Sequence, residues 1–300
     1  MSIPEDHRCG LVAVIGRPNV GKSTFINAVM GRKVSIVTAK PQTTRHRILA
    51  VHTEKEQQII FVDTPGLHRK SAKAMNRMMN RTAAHALADA DLILFVNDAS
   101  RWTEEDDDVL LRLKSVKAPV IALLNKIDKI HPREKLLDLM AALSARFDFT
   151  EIVPVSAMKK DNLDSLMKLI PPYLPESPPL FPEDMHTDRS EEFHITETIR
   201  EKLTEMLHQE MPYGLTVQVE RLVRDDKGVA INAIIWVERD SQKGIAVGKN
   251  GSVLKKVGRE ARLEIAEQLG QRVHLELWVK VKSNWADNDN DLMNLGYEAP

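Results

Sequence analysis

The sequence contains almost none of the features that mark secreted or membrane-spanning proteins. Its single cysteine, Cys9, has no partner for an internal disulfide, which favours a reducing compartment. No stretch reaches the roughly 18 uninterrupted apolar residues of a membrane span. The N-terminal segment MSIPEDHRC is polar and unlike a signal peptide. We therefore expect a cytoplasmic protein.

The chain also lacks a strong overall charge of either sign. Its formal net charge is −1 at pH 7, so the total charge indicates no particular partner. The distribution is uneven, because residues 227–282 contain eleven lysines and arginines against six acidic residues, whereas the closing segment ADNDNDLMNLGYEAP is acidic. The basic segment suits a polyanion, although a solvated surface would have the same composition.

Proline is concentrated in one segment, PPYLPESPPLFP at 171–182, where six of twelve residues are proline. Proline removes backbone donors and restricts φ, so this segment belongs neither to a helix interior nor to a central strand. It predicts a semi-rigid linker between two domains. We assign residues 8–174 to the first domain, 175–190 to the linker, 191–283 to the second domain and 284–300 to an acidic C-terminal tail.

Before the linker, short apolar runs alternate with amphipathic, helix-like stretches. The runs are LVAVI (11–15), ILAVHT (48–53), IIFV (59–62), LILFV (92–96), VIALL (120–124) and IVPV (152–155). Several lack polar alternation, as expected of central strands that are covered on both faces. The order predicts an α/β domain with a doubly wound, mostly parallel sheet, in which the second and third runs form an antiparallel edge hairpin.

After the linker, the pattern predicts a small α+β domain. Helical spacing covers 191–207 and 252–269, and the segments TVQVERLV and VAINAIIWVER are typical of strands. In RVHLELWVKV (272–281) every second residue is apolar, so one face of this strand is apolar. That face consists of Val273, Leu275, Leu277, Val279 and Val281.

The stretch GRPNVGKST follows the first apolar run directly and fits the pattern G-x-x-x-x-G-K-[ST]. Its glycines allow successive N–H groups to point at a phosphate, and the helix expected from Lys22 adds its positive end. Lys22, expected as a surface loop residue, would reach the β- and γ-phosphates, and Ser23 would bind Mg²⁺. The predicted nucleotide-binding residues here are Gly16, Arg17, Pro18, Asn19, Val20, Gly21, Lys22, Ser23 and Thr24.

The stretch NKID after the run VIALL selects the base. A carboxylate only accepts hydrogen bonds, so Asp128 can accept from the ring N–H and the amine of guanine. Adenine presents an acceptor at this position and would be rejected. Ser156 and Ala157, after the run IVPV, would add backbone contacts. GTP and GDP are therefore the predicted ligands, with base contacts from Asn125, Lys126, Asp128, Ser156 and Ala157.

The stretch DTPG directly follows the run IIFV. All four of its residues are predicted to bind the nucleotide. Asp63 would hold Mg²⁺ through water and the Gly66 N–H would contact the γ-phosphate, beside Thr64 and Pro65. The segment PQTTRHR (41–47) offers two threonines, either of which could close over Mg²⁺, although the pair also suits a plain loop. The predicted Mg²⁺ ligands are Ser23, Thr43, Thr44 and Asp63. The predicted catalytic residues are Lys22, Thr43, Thr44 and Gly66.

In this order, the motifs GRPNVGKST, PQTTR, DTPG, NKID and SA resemble those of the Era branch of the translation-factor-type GTPases. The resemblance covers the chain from about Cys9 to Tyr173. It implies GTP hydrolysis with Mg²⁺, and two loops that order with GTP and relax with GDP.

Two positions bear on the rate of hydrolysis. Leu67 occupies the position at which Ras-like proteins carry a glutamine that orients water. Its apolar side chain cannot do so, and the resemblance is to the subgroup with a hydrophobic replacement, so we expect slow intrinsic hydrolysis. His68 beside it is more simply explained as a solvated residue. Asn19 resembles the asparagine that helps to hold K⁺ in potassium-stimulated relatives, which makes K⁺ a hypothetical second cofactor.

The second domain contains the loop Gly248-Lys249-Asn250-Gly251 between two helix-like stretches. Such a loop lets single-stranded nucleic acid approach the backbone and clamps about four nucleotides. By itself it also suits a glycine turn between helices. In an α-β-β-α-α-β order with a closing alternating strand, it resembles a type II KH domain. The predicted RNA-binding residues are Gly248, Lys249, Asn250, Gly251, Lys255, Lys256 and Arg259, with Arg262 on the same helix side.

The two domains in this order match the Era-type GTPases from end to end. The resemblance implies binding near the 3′ end of 16S ribosomal RNA, a role in assembly and rRNA maturation of the 30S subunit, and association with the inner face of the membrane. We expect a monomer that does not bind DNA. Two alternatives remain open, which are a membrane-associated scaffold and a GTPase that assists an RNA-modifying enzyme. The relative of the second kind relies on a C-terminal cysteine, whereas Cys9 lies at the other end.

Overall fold

The sheet of the first domain brings together strands from its whole length. The structure, a computed structural model, describes residues 6–40, 42–66, 73–207 and 214–297. The strands are β1 (Arg8–Ile15), β2 (Ile48–Glu54), β3 (Gln57–Asp63), β4 (Leu92–Asp98), β5 (Val120–Asn125) and β6 (Glu151–Val155). They form a six-stranded sheet in the order β2-β3-β1-β4-β5-β6. Only β2 runs antiparallel to its neighbour, which confirms the predicted parallel sheet with an edge hairpin.

Helices cover both faces of this sheet. They are α1 (Lys22–Met30), α2 (Ala74–Ala88), α3 (Glu104–Leu113), α4 (Lys135–Ser144) and α5 (Leu163–Leu169). Val12 and Val14 of β1 pack in the core shared with α1 and α5, whereas Ala13 and Ile15 pack with α2, α3 and α4. Because successive side chains of a strand point to opposite faces, the second half of β1 is buried on both faces, and this explains its apolar run LVAVI.

The second domain has the predicted α-β-β-α-α-β order. Its elements are α6 (Glu191–Met206), β7 (Leu215–Asp225), β8 (Gly228–Val237), α7 (Asp240–Val247), α8 (Ser252–Leu269) and β9 (Val273–Val281). The sheet β7-β8-β9 pairs β7 antiparallel and β9 parallel to β8. Its inner face packs on all three helices in a separate apolar core. No helix in the described ranges combines the length and apolar character that crossing a bilayer requires.

The predicted linker, 175–190, is attached to the first domain along its length. Ser177 N donates to His7 O at 3.0 Å, and Val51 N donates to His186 O at 3.0 Å. The buried side chain of Gln58 on β3 accepts from the backbone N–H groups of Leu180 and Phe181, at 2.8 and 2.9 Å. The proline-rich segment therefore gains its partners from the first domain, and its path between the domains is defined by hydrogen bonds.

The segment predicted as an acidic tail, 284–300, is folded over its described part, which corrects that prediction. A short turn at Trp285–Asp287 leads into α9 (Asp289–Asn294). Trp285 and Tyr297 are 0% and 1% exposed, and they pack with three methionines of α2, which are Met75, Met78 and Met79. The acidic composition of the segment concealed this role, because a few apolar side chains are sufficient to anchor a short segment.

Trp285→Ala should destabilise the protein substantially. The change removes a fully buried indole from the α2 methionines, and its Nε1 also donates to Gly214 O at 3.3 Å. We expect a loss of about 3–5 kcal/mol in the free energy of unfolding, measured by urea denaturation. Trp278→Ala is the matched control, because Trp278 is 41% exposed. Its replacement should reduce the free energy of unfolding clearly less. Equal losses for the two variants would contradict the assigned packing of the C-terminal segment.

Candidate nucleotide-binding site and nucleic-acid-facing loop

The phosphate-binding motif forms the connection between β1 and α1. Gly21 precedes α1 with a φ of 104°, and a Cβ atom there would lie 2.4 Å from Nδ2 of Asn125. Only glycine fits both the backbone angle and this close approach. The helix therefore begins directly under the loop, with its free N–H groups directed at the space that a phosphate would occupy.

Lys22 is buried rather than on a surface loop, which corrects the expectation from sequence. It is the first residue of α1 and only 7% exposed. Its Nζ donates to Gly16 O at 3.0 Å and to Arg17 O at 3.1 Å, so the ammonium bridges two backbone carbonyl groups of the loop. Burial, partly offset by the nearby Asp63, lowers the pKa of Lys22 to about 8. An anion in the loop would raise that pKa again and hold the lysine charged.

Three oxygen-bearing side chains meet at the end of β3. Ser23 Oγ donates to Asp63 Oδ2 at 2.9 Å and lies 2.9 Å from Thr44 Oγ1, and burial raises the pKa of Asp63. Asp63 Oδ1 is buried and has no hydrogen-bond partner among the described residues. Hydroxyl and carboxylate oxygens are the ligands that Mg²⁺ prefers, and an unsatisfied buried carboxylate oxygen suits a cation or its water shell.

This cluster contains a single carboxylate. Within the described ranges, no group of three histidine, cysteine or acidic side chains could hold a metal ion. A metal held by Ser23, Thr44 and Asp63 would therefore depend on phosphate oxygens and water for its other ligands, as Mg²⁺ commonly does. The cluster fits Mg²⁺ bound together with a nucleotide better than a metal bound by protein alone.

The two predicted threonine ligands differ in orientation. The Thr43 hydroxyl donates to Lys40 O at 2.6 Å and lies 2.7 Å from Thr38 Oγ1, so its contacts are within its own loop. Thr44, by contrast, is 8% exposed and directed at Ser23 and Asp63. In this structure Thr44 is thus the better-placed candidate metal ligand, and a metal contact by Thr43 stays a prediction.

The predicted base-binding residues are interlinked with the phosphate loop. Asn125 at the end of β5 donates from Nδ2 to Val20 O at 2.8 Å, and its Oδ1 accepts from Ala157 N at 3.0 Å. Ser156 Oγ donates to Asp128 Oδ1 at 2.5 Å, which holds that carboxylate in place. The side chain of Asn125 therefore joins the loops after β1, β5 and β6 into one unit.

Asp98, at the end of β4, was missed from the sequence. Lys126 Nζ donates to Asp98 Oδ2 at 2.7 Å and to Asn19 O at 2.7 Å, so Asp98 helps to hold Lys126 against the phosphate loop. Burial opposes ionisation of Asp98, but hydrogen bonds from Lys126 and Ser100 outweigh it and keep its pKa below the usual value. The available signal was its position two residues after the strand-like run LILFV, close to the position that Asp63 has directly after IIFV.

Several motif residues have structural roles beside or in place of ligand contacts. Arg17 Nε donates to the buried Asp106 Oδ2 at 2.9 Å, so its side chain ties the loop to α3. Thr64 Oγ1 donates to Val14 O at 2.9 Å and joins β3 to β1. A Cβ atom on Gly66 would lie 2.9 Å from Pro18 Cγ, so DTPG packs directly on the phosphate loop. Leu67 and His68 lie outside the described residues.

The loop of the second domain connects α7 to α8. Gly248 has a φ of 75°, and a Cβ atom there would lie 2.5 Å from Val253 Cγ2, so only glycine fits. Lys249 and Asn250 are exposed at its tip. Lys255, Lys256 and Arg259 are exposed or half-buried on α8, as is Arg262. The arrangement places a glycine-flanked turn, a helix N-terminus and several cations together, which suits a nucleic-acid backbone.

Comparisons with known proteins match both domains. The profile of a family described as 50S ribosome-binding GTPase matches residues 11–126, and a KH domain profile matches residues 210–286. GTPase Era of Vibrio parahaemolyticus is 46% identical over 99% of this chain and 93% of its own. GTPase Era of Yersinia pestis is 46% identical over 99% of this chain and 98% of its own.

Two solved structures have the same arrangement of domains. A crystal structure of Era in complex with MgGDPNP and nucleotides 1506–1542 of 16S ribosomal RNA is 40% identical, with a TM-score of 0.94 over 97% of this chain and 99% of that one. A crystal structure of a point variant of Aquifex aeolicus Era bound to GDP.AlF4⁻ is 41% identical, with a TM-score of 0.93 over 97% of this chain and 99% of that one.

Asp128→Asn should change the base that is preferred. Guanine offers two donors at this edge, whereas xanthine offers one donor and one acceptor, which an amide side chain matches. We expect the affinity for GTP to fall about 100-fold or more and the affinity for XTP to rise, as measured by fluorescent-nucleotide competition. The exposed Asp148→Asn is the matched control and should change neither affinity. Unchanged GTP binding by Asp128→Asn would remove Asp128 from the site.

Proposed function

The chain belongs to the Era family of GTPases, and from this premise we propose that it is a GTP-hydrolysing switch that binds 16S rRNA near its 3′ end and assists 30S subunit assembly and rRNA maturation. One observation carries the proposal. A complete set of guanine-nucleotide motifs and a KH fold occur in one chain, over the same span as an Era structure that holds both MgGDPNP and 16S rRNA nucleotides.

The nucleotide would be held mainly by backbone amides of residues 16–24, with Lys22 neutralising charge between the phosphates. Ser23, Thr44 and Asp63 would hold Mg²⁺, which supplies positive charge beside the β- and γ-phosphates. Asp128 would accept two hydrogen bonds from guanine, and its position is supported by the bond from Ser156 at 2.5 Å. Since Lys22 and Asp63 are desolvated, their interactions with a bound nucleotide would be stronger than at an exposed site.

The RNA would be clamped by the turn at 248–251 and attracted by the cations of α8. The proposal assigns phosphate contacts to Lys249, Lys255 and Lys256, which lie at or near the N-terminal end of that helix. Cytoplasmic location, a monomeric state, binding to the assembled 30S subunit and association with the inner face of the membrane stay predictions of the family resemblance.

Lys249 and Asn250 provide a sharper test of RNA binding than Gly248. A side chain at Gly248 would collide with Val253, so Gly248→Asp would disturb the loop itself as well as repel phosphate. The double variant Lys249→Asp/Asn250→Asp changes two exposed tip residues. Asparagine and aspartate both tolerate the φ of 53° at position 250.

We expect this double variant to bind a 16S rRNA 3′-end fragment at least about tenfold more weakly, because it adds negative charge where phosphates approach. GTP hydrolysis without RNA should equal that of the wild-type protein. The matched control is Lys114→Asp/Ser115→Asp, two exposed residues of the first domain that give the same change in charge and should leave RNA affinity unchanged. Equal RNA affinity of the loop variant and the wild type, in fluorescence anisotropy, would refute the assignment of the KH loop.

Dependence on K⁺ is a further prediction about this site. Asn19 has a φ of 64° and its Nδ2 donates to Ala39 O at 2.9 Å, which links the phosphate loop to the loop that carries Thr44. We expect faster GTP hydrolysis in KCl than in NaCl of equal ionic strength, and Asn19→Ala should abolish the difference. Equal wild-type rates in the two salts would exclude a K⁺ role.

A further inference from the structure

A buried ion pair on the first helix of the KH domain contacts the loop that carries the candidate Mg²⁺ ligand. Arg200 and Glu197 on α6 are 2% and 5% exposed. Arg200 Nε donates to Glu197 Oε1 at 2.7 Å and its Nη2 donates to Glu197 Oε2 at 2.6 Å. The pair is bidentate, so the plane of the guanidinium is held in one orientation.

The same guanidinium reaches into the other domain. Arg200 Nη2 also donates to the backbone carbonyl of Thr43. Thr43 immediately precedes Thr44, whose hydroxyl lies 2.9 Å from Ser23 Oγ in the cluster that fits Mg²⁺. A single peptide unit therefore separates a KH-domain donor from a candidate metal ligand of the nucleotide site.

The energetics of the pair favour a positioning role over a purely stabilising one. Burial opposes the charge of both groups, yet their mutual attraction lowers the pKa of Glu197 and raises that of Arg200, so both stay ionised. A buried ion pair usually adds little stability compared with well-packed apolar side chains. What apolar side chains cannot supply is a directed charged donor to the Thr43 carbonyl.

Neighbouring contacts hold the two ends of this loop to the KH domain and the C-terminal segment. Val37 N donates to Glu201 Oε1 at 2.8 Å, and Arg45 Nη1 donates to Leu215 O at 2.7 Å. The His46 ring stacks on Tyr297 with centroids 4.6 Å apart, and burial together with nearby arginines lowers its pKa to about 4 although Glu197 opposes this, so it stays neutral. Arg200 thus acts on a loop whose two ends are already anchored to the second domain.

We propose that Arg200, held by Glu197, is a positioning residue for GTP hydrolysis, which places Thr44 for Mg²⁺ through the Thr43 carbonyl. This inference rests on the proposed function, since it requires Mg²⁺ bound with GTP. By reciprocity, a displacement of α6 by RNA on the KH domain would alter the Mg²⁺ loop, and the state of that loop would alter α6. The first helix of the RNA-binding domain thereby positions a candidate metal ligand of the nucleotide site.

The test replaces both charges together, because Arg200→Met alone would leave Glu197 buried without its partner. The double variant Glu197→Met/Arg200→Met keeps similar volumes and removes the donor. Arg200→Lys is the second variant, since it keeps the charge but not the bidentate geometry. Arg224→Met is the matched control, because Arg224 also pairs with a carboxylate of α6, Glu191, but is exposed and lies on β7.

For the double variant we expect kcat for GTP to fall about tenfold and the Mg²⁺ concentration for half-maximal rate to rise about tenfold, as for the loss of one charged hydrogen bond. GDP affinity should stay within about twofold, because the phosphate loop and base-binding residues are untouched. Both kcat and the Mg²⁺ dependence of Arg200→Lys should lie between those of the double variant and the wild type. Those of Arg224→Met should match the wild type.

Two outcomes would overturn the inference. One is wild-type kcat and Mg²⁺ dependence in the double variant. The other is a parallel loss of GDP affinity, which would indicate a general structural defect. If the double variant does not fold, Arg200→Lys decides alone, and unchanged kcat and Mg²⁺ dependence in it would refute the proposal. Absence of GTP hydrolysis in the wild-type protein would instead refute the proposed function itself.

Discussion

The candidate nucleotide site depends on one geometric constraint, which is that parallel strands end at the same edge of their sheet. β1, β3, β4, β5 and β6 are parallel neighbours, and each is followed by a segment that contributes to the site. Residues separated by more than a hundred positions in the chain, such as Val20 and Asn125, are thereby within hydrogen-bond distance. The same parallel arrangement requires coverage on both faces, and this accounts for the doubly wound helices.

Burial of charge is the second constraint, and it separates this site from an ordinary polar surface. Lys22 and Asp63 are 7% and 0% exposed. Desolvation lowers the pKa of Lys22 and raises the pKa of Asp63, so it favours the neutral form of each. Such groups are costly unless opposite charges satisfy them. A nucleotide phosphate for Lys22 and a divalent cation for Asp63 would provide these charges, so the electrostatics of the site favour the two ligands together.

The connection between the domains follows from polar and aromatic contacts rather than from a flexible tether. Gln58 holds the proline-rich segment against the first domain, and Trp285 holds the C-terminal segment on α2. Arg200 then joins α6 to the loop of Thr43 and Thr44. Each of these contacts uses a buried side chain with a specific partner. The RNA-binding and nucleotide-binding domains are therefore in direct contact at the loop of Thr43 and Thr44, which would respond to the γ-phosphate.

The sequence by itself determined the fold class, the two domains and the short motifs around Gly21, Asp63, Asp128 and Gly248. These features are local, because strand periodicity, glycine conformation and motif spacing are properties of neighbouring residues. Only the tertiary structure decided that Lys22 is buried, that Thr44 rather than Thr43 faces Asp63, and that Trp285 lies in a core. It also decided the pairing of Arg200 with Thr43, since contacts between residues far apart in the chain depend on how the elements pack, and packing leaves no local pattern in the sequence.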